Sequence, residues 1–267
     1  MTDFRDAHVL ITGAAGGIGR LLALGAAARG ARTTLLDLDE AGLFAVRAEI
    51  AQAGGEAEVF AVDLCDRAGF QVTAARVLAT RGPVDILINN AGIVTGKTLL
   101  RCSDAAIERT FQVNTLALFW SVRALLPAMI ARGRGHVVTI ASAAGLGGTS
   151  RLTDYCASKF AVVGFSEALR QELRPRGIAV SVLCPPDTDT PGLAHEDLTK
   201  PAETKAVSGG AKLMQPDAVA VEMLQGIGRG TFMIVPGGDG KLAYFMKRHA
   251  PGVVDAIMRR GIRKARV

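Results

Sequence analysis

In LTDYCASKFAV, residues 152–162, a phenol and an ammonium stand four residues apart, Tyr155 and Lys159, inside a run that is otherwise small and apolar. A free phenol has a pKa of about 10 and is a poor base at neutral pH unless a positive charge favours the phenolate. Four residues along a helix puts Lys159 on the same face, where its ammonium can lower the Tyr155 pKa and also hold a ribose hydroxyl. Thirteen residues upstream, at the end of a strand-like run, Ser142 offers a hydroxyl for the oxygen of a reacting alcohol or carbonyl. Taken alone, Tyr155 and Lys159 would more often be an exposed pair. A second constellation changes the balance.

That constellation is TGAAGGIG, residues 12–19, which closes an apolar run and opens a helical one. Gly13, Gly17 and Gly19 permit a tight turn and close approach of backbone to a pyrophosphate, and the helix amino terminus adds unpaired N–H groups. Asp37 follows Gly19 by eighteen residues at the end of the second apolar run, the separation at which a carboxylate accepts from an adenosine ribose diol. The same charge repels a 2′-phosphate, and Gly16 and Leu38 offer no compensating cation. NAD is therefore expected over NADP. Arg20 is the complication, because it begins the helix and could reach a phosphate.

These groups need elements to position them, and the pattern supplies a set. Strand-like runs at 8–13, 32–37, 57–63, 84–92, 135–142, 178–185 and 231–237 alternate with helical patterns at 17–29, 40–53, 66–81, 103–132, 154–174 and 216–228. Continuously apolar strands, each followed by a helix, describe a parallel sheet covered on both faces. The expectation is a Rossmann-like, doubly wound α/β fold with seven parallel strands. A single domain spans 1–267, with one long irregular stretch, 186–215, placed where lids and substrate loops occur, and a basic carboxy-terminal extension, 239–267.

Composition narrows the function classes. With 49% hydrophobic residues in 267, the chain can bury a full core. Cys65, Cys102, Cys156 and Cys184 lie at least 28 residues apart and the four histidines are scattered, so neither a metal site nor a disulfide framework is expected. The net charge of +6 is concentrated: residues 241–267 hold eight Lys/Arg against Asp255, leaving the rest near −1. No basic folded face or recognition motif is left, which argues against nucleic acid. No apolar run is read as approaching the ~20 residues that cross a bilayer, and the amino terminus carries no signal-like core, so the chain reads as soluble and cytoplasmic.

The residues Thr12-Gly-Ala-Ala-Gly-Gly-Ile-Gly19, Asp63-Leu64, Asn89-Asn-Ala-Gly92, Asn114, Ser142 and Tyr155-Cys-Ala-Ser-Lys159 resemble, in order and spacing, the short-chain dehydrogenases/reductases over nearly the whole chain. The resemblance implies NAD(P)-dependent hydride transfer between an alcohol and its carbonyl compound, with Asn114, Ser142, Tyr155 and Lys159 as the catalytic set. It implies a dinucleotide held by Gly13, Ala15, Gly17, Ile18, Gly19, Asp37, Asp63, Leu64, Asn90, Ala91, Gly92, Tyr155, Lys159, Pro185, Thr188 and Thr190. In it Asp63 meets the adenine amino group, Asn89 to Gly92 wall the adenine-ribose side, and Asn114 kinks its helix and holds a water in a proton relay to Lys159. The plainer alternatives are a strand-ending cap for Asp63 and a backbone-satisfied amide for Asn114.

Two stretches speak to substrate. Residues 85–173 look like the retinol and 17β-hydroxysteroid branch, whereas PPDTDTPG and EDLTKPAET, after the sixth strand, look like 3-ketodihydrosphingosine reductases. Both imply a lipophilic alcohol or ketone near Thr188, Thr190, Leu193 and Ala194. Pro186 stands where the family usually has glycine, which puts the usual loop geometry in doubt. A long-chain 3-keto lipid reductase is thus the alternative within enzymes, and a non-catalytic nucleotide-binding regulator the alternative outside them. Apolar stretches in helices 103–132 and 154–174, with the resemblance, suggest a homodimer or homotetramer. From Val253 onward, Val253, Val254, Ile257, Met258 and Ile262 fall on one half of a helical wheel, with Arg259, Arg260, Arg263 and Arg266 on the other. That helix either packs on the body or a partner subunit, or lies on an anionic membrane.

Overall fold

The computed structural model of the chain describes residues 1–190, Leu193 and 213–264. Its centre is a seven-stranded, wholly parallel sheet in the order β3-β2-β1-β4-β5-β6-β7. The strands are β1 His8–Thr12, β2 Arg32–Asp37, β3 Glu56–Ala61, β4 Ile86–Asn89, β5 Gly135–Ile140, β6 Ile178–Leu183 and β7 Met233–Ile234. Order reverses between β1 and β4, opening a crevice at their carboxyl ends, the usual ligand position in such sheets. The doubly wound expectation holds; the seventh strand is much shorter than the 231–237 run implied, since only Met233 and Ile234 pair with β6.

Alternation along each strand divides the core in two. Val9, Ile11, Ile86, Ile88, Val138 and Ile140 point to one face, where α1 (Gly17–Ala27), α2 (Glu40–Gln52) and α7 (Pro216–Gly228) contribute Leu22, Leu43, Ile50, Met223 and Leu224. Leu10, Leu87, Val137, Val180 and Val182 point to the other, against Phe70 of α3 (Arg67–Arg81), Leu118 and Leu125 of α5 (Ala117–Arg132), and Val162 and Leu169 of α6 (Thr153–Leu173). Each fully buried leucine or isoleucine contributes about 2 kcal/mol of transfer free energy, so the face alternation fixes the register of every strand.

Helix starts explain where the site opens. Asp39, Asp66 and Ser103 accept from Gly42, Gly69 and Ala106 N–H groups and so cap α2, α3 and α4 (Asp104–Phe111). The start of α1 is different: Gly16 has no side chain to cap it, which leaves its first N–H groups without a side-chain acceptor.

The helix expected over 103–132 is one continuous rod interrupted by a π-helical turn, Gln112–Leu116, centred on Asn114. The reading that nothing in the chain approaches a membrane-spanning length is corrected here. Asp104–Arg132 is long and apolar enough by length and composition, an 18-residue window of it having a mean hydropathy of 1.5, yet 44% of that window is buried inside the domain. The segment is a helix of the fold itself, packed against α3 and α6.

After β7, α8 (Gly238–His249) and α9 (Pro251–Lys264) pack on each other through contacts that include Lys247 Nζ to Asp255 Oδ1 at 3.3 Å. Pro251 opens α9, the first helical position where a missing N–H costs nothing. Among the described residues of this pair none is buried, so the expectation of an apolar half packed on the body is not met. Most of the 186–215 stretch, Ala194 included, lies outside the described residues.

Candidate functional site

The carboxyl edge of the sheet gathers the glycine turn, the segment after β4, the end of β5 and the first turns of α6. Gly13 has φ +65° and would place a Cβ 2.8 Å from Ala91 Cα, while a Cβ on Gly19 would strike the Gly13 carbonyl and lie 2.5 Å from Asn90 Nδ2. The turn is thus as tight as a backbone can be made, and only hydrogen fits. Asn90 holds it from below: its Nδ2 donates to the carbonyls of Thr12 at 3.0 Å and Gly13 at 2.9 Å. Thr12, part of the motif but assigned no role from sequence, completes the clamp, its Oγ1 accepting from Asn90 N at 3.0 Å and Ala91 N at 3.1 Å. A buried threonine ending a first strand is the signal that could have found it. Asn90 and Thr12 therefore shape the turn from inside the fold.

At the end of β2, the Asp37 carboxylate accepts from Ala15 N at 3.0 Å and Asp39 N at 3.2 Å, which ties the second strand to the glycine turn. Ala15 and Ile18 pack at its edge. Arg20 is not directed at this corner without a partner: its guanidinium forms a two-pronged ion pair with Glu49 of α2, which raises the Arg20 pKa and lowers that of Glu49. Asp63 accepts from Cys65 N at 2.8 Å and sits 3.5 Å from Arg109, so its carboxylate serves as the strand-ending cap anticipated as the plainer alternative and is still partly exposed. Leu64 lines the crevice with Thr12, Asn89, Ala91, Asn114 and Thr139.

Across the crevice, α6 brings in Tyr155 and Lys159. Lys159 is 4% exposed, and its Nζ donates to the Ile140 carbonyl at 3.0 Å and stands 5.7 Å from the Tyr155 ring centroid. Burial pushes its pKa down to about 8; the neighbouring Cys184, pushed up to about 12 by the same burial, stays a neutral thiol. A Cβ on Gly92 would lie 3.2 Å from Nζ and 3.3 Å from Asn114 Oδ1, so that glycine lets the backbone after β4 press against both groups.

Asn114 is buried in the π-helical turn. Its Oδ1 accepts from Ile93 N at 2.8 Å, and its Nδ2 donates to Ile93 O and Ser158 Oγ, each at 2.9 Å. Both amide protons are used, so the amide is satisfied as its plainer alternative required, and any water in a relay is left to its oxygen atoms. Ser142, two residues past β5, caps the 3₁₀ turn Ala143–Gly145 with Oγ accepting from Ala144 N at 3.1 Å, which leaves its own O–H free in direction to donate. Ala143 N reaches Pro185 O at 2.9 Å, joining the β5 and β6 edges. Beyond it Thr188 turns inward, Oγ1 to Pro186 O at 2.8 Å, and Thr190 Oγ1 accepts from Leu193 N at 3.3 Å. Thr188 is buried and pairs with Met214, so its hydroxyl is spent on the turn that Pro186 begins.

The family model described as short chain dehydrogenase matches residues 7–201. Among similar proteins, epidermal retinol dehydrogenase 2 of Homo sapiens is 44% identical over 181 residues, covering 66% of this chain and 59% of that protein. Estradiol 17-beta-dehydrogenase 11 of Rattus norvegicus is 37% identical over 256 residues, 94% of this chain and 83% of that protein. The chain thus spans about three fifths of the length of the first relative. Of solved structures, a short chain dehydrogenase/reductase from Burkholderia phymatum in complex with NAD superimposes with a TM-score of 0.84 at 28% identity, covering 95% of this chain and 96% of that one. A metagenomic short-chain oxidoreductase in complex with NADP gives 0.73 at 30% identity, over 88% of this chain and all of that one. With its glycine turn, its Tyr155–Lys159 pair and the match over 7–201, the chain belongs to the short chain dehydrogenase family.

Proposed function

We propose that the chain is a nicotinamide-dinucleotide-dependent oxidoreductase that interconverts a primary or secondary alcohol and its carbonyl compound, on a lipophilic substrate. Lys159 carries the reading. Among the described residues this buried ammonium has no carboxylate partner, an arrangement that costs the fold several kcal/mol and so points to a use for the charge. The neighbour is the Tyr155 phenol, whose phenolate the charge favours.

In the oxidation direction Tyr155 takes the alcohol proton while Ser142 donates to the reacting oxygen; in reduction Tyr155 returns the proton. Asn114 fixes Ile93 and Ser158, and so the floor and wall around Lys159. The uncapped start of α1 and the side-chain-free turn at 16–17, open above both glycines, fit a dinucleotide pyrophosphate, with Asp37 for its ribose. When bound, that group supplies the hydride acceptor or donor. Preference for NAD follows from the Asp37 charge and from Arg20 being committed to Glu49.

Names of relatives add the substrate class: retinol and estradiol dehydrogenases act on lipophilic alcohols. Self-association is supported by Leu116, Phe119 and Phe160, exposed apolar residues on the π-helical turn, α5 and α6; light scattering at micromolar concentration checks it, and a monomer refutes it. Contact with an anionic membrane is supported by Leu242, Phe245, Val253 and Ile257, exposed on α8 and α9 among Lys241, Lys247, Arg259 and Arg260; salt-sensitive sedimentation with anionic vesicles, lost on deleting 252–267, checks that.

The deciding experiment is Tyr155→Phe against a panel of long-chain, retinoid, steroid and sugar alcohols, followed by reduced-cofactor absorbance with NAD or NADP. Loss of turnover on the order of a thousandfold with cofactor binding retained is expected. Substantial turnover in that variant would sink the mechanism. A wild-type protein that binds dinucleotide and turns over nothing would favour the regulator.

A further inference from the structure

Asp154, the residue before Tyr155, is 4% exposed and plays no part in the chemistry just described. Its Oδ2 accepts from Thr95 Oγ1 at 2.8 Å and lies 3.1 Å from Thr110 Oγ1, whose single proton is shared with the Ala106 carbonyl at 2.9 Å; Cys102 Sγ is 3.9 Å away and also 3.9 Å from Thr95 Oγ1. Thr95 and Cys102 are the two ends of TGKTLLRC, residues 95–102. One carboxylate oxygen therefore joins both ends of this loop, and Thr110 of α4, to the first turn of α6. Two residues before Thr95, Asn114 fixes Ile93, so the segment after β4 is pinned twice within three residues. What projects from the closed base is a short 3₁₀ turn, Leu99–Arg101, whose Leu99 is 53% and Leu100 97% exposed.

The burial is unfavourable in isolation. Among the described residues Asp154 forms no ion pair, and its other oxygen, Oδ1, is buried without a hydrogen bond. Its place in the first helical turn recovers about 0.3–1 kcal/mol from the helix dipole, less than an orphaned buried carboxylate oxygen forfeits. A serine could occupy that turn without the penalty, but it could not gather several donors on one strong acceptor. The gathering is what the penalty secures.

We propose that Asp154 is a positioning residue: it staples the Thr95–Cys102 loop to the turn that carries Tyr155, and so shapes the alcohol side of the site and its apolar lip. The inference rests on the alcohol–carbonyl reading above, and its test separates the two. Thr95→Val removes the staple to the loop at constant shape, Thr110→Val removes only the tie to α4, and Asp154→Asn weakens the common acceptor. Lys97 and Arg101 lie inside the loop and make it a trypsin site. Thr95→Val and Asp154→Asn are expected to be cut at Lys97 and Arg101 about tenfold faster than wild type, with melting temperature and NADH affinity kept, whereas Thr110→Val is cut at the wild-type rate. In the same two variants the KM for a long-chain alcohol rises about tenfold while the KM for cofactor does not. Unchanged cleavage in Thr95→Val overturns the staple, even should Asp154→Asn fail to fold. Faster cleavage with an unmoved alcohol KM overturns the positioning role. A wild type that turns over no alcohol overturns the activity reading instead, and cleavage still decides the staple.

Discussion

The glycine turn after β1 and the first turns of α6 face each other across one crevice and are built on opposite plans. The turn is backbone: Gly13 in a left-handed conformation, Gly19 with no room for a methyl, and the start of α1 left uncapped. The α6 side is a set of buried polar side chains, Asp154, Ser158 and Lys159, each bonded to a different neighbouring element. Phosphate recognition needs N–H groups brought close, which any side chain would obstruct. Proton transfer needs titratable groups in a shaped electrostatic environment, which only side chains provide.

If the turn is sterically saturated, Gly19→Ala will break it. The new methyl would strike the Gly13 carbonyl, a backbone atom that cannot yield without moving the end of β1, and lie 2.5 Å from Asn90 Nδ2, which would have to give up its two hydrogen bonds. Dinucleotide affinity, measured by NADH fluorescence titration, should fall on the order of a hundredfold or more. An unchanged affinity would mean that the turn relaxes freely.

On the α6 side the corresponding substitution should stabilise the fold. The Lys159 pKa is lowered from 10.5 to about 8 by burial, so the unfolded chain binds the extra proton between those values and this residue's contribution to stability rises with pH across that window. Below pH 8 the full penalty, about 3 kcal/mol, is present. Lys159→Met should therefore be more stable than wild type near pH 7, by somewhat less than that because Ile140 O loses its donor, and the difference should vanish as pH approaches 10.5. It should also be inactive. Denaturant midpoints at pH 7 and pH 10 check the sign; a variant less stable at pH 7 contradicts the view that the site holds its charge at the expense of the fold.

The smallest effect is expected where both plans meet solvent. Replacing Asp37 with Ser and Leu38 with Arg removes the carboxylate we assign to the ribose and adds a cation beside it. The ratio of kcat/KM for NADP over NAD should rise about tenfold, one charge-assisted contact's worth. A wild type that already prefers NADP would refute the argument from the Asp37 charge.

Much of this was legible without coordinates. Alternating apolar strands and periodic helices announced the parallel sheet, since both signals are local and repeat along the chain. So did the glycine turn with Asp37, because conformational demands at 13 and 19 are written in single residue types. The roles of Thr12 and Asn90 were harder to see: they lie 78 positions apart in sequence, and their meaning is a contact. The wheel from Val253 found the amphipathic α9 but could not say that Val253 and Ile257 of its apolar half are exposed, because burial belongs to the assembled surface.

By itself, then, the sequence determined the strand faces, the need for glycine at the turn, and the presence of a phenol and an ammonium one helical turn apart. Tertiary structure decided the rest: that Lys159 is fully enclosed and its pKa depressed, that Arg20 is taken by Glu49, and that Asp154 holds a loop whose ends approach one oxygen. The division has a physical reason. Backbone propensity and periodicity act over a few residues, whereas desolvation and hydrogen-bond partnership depend on which distant segments the sheet order brings to the same edge.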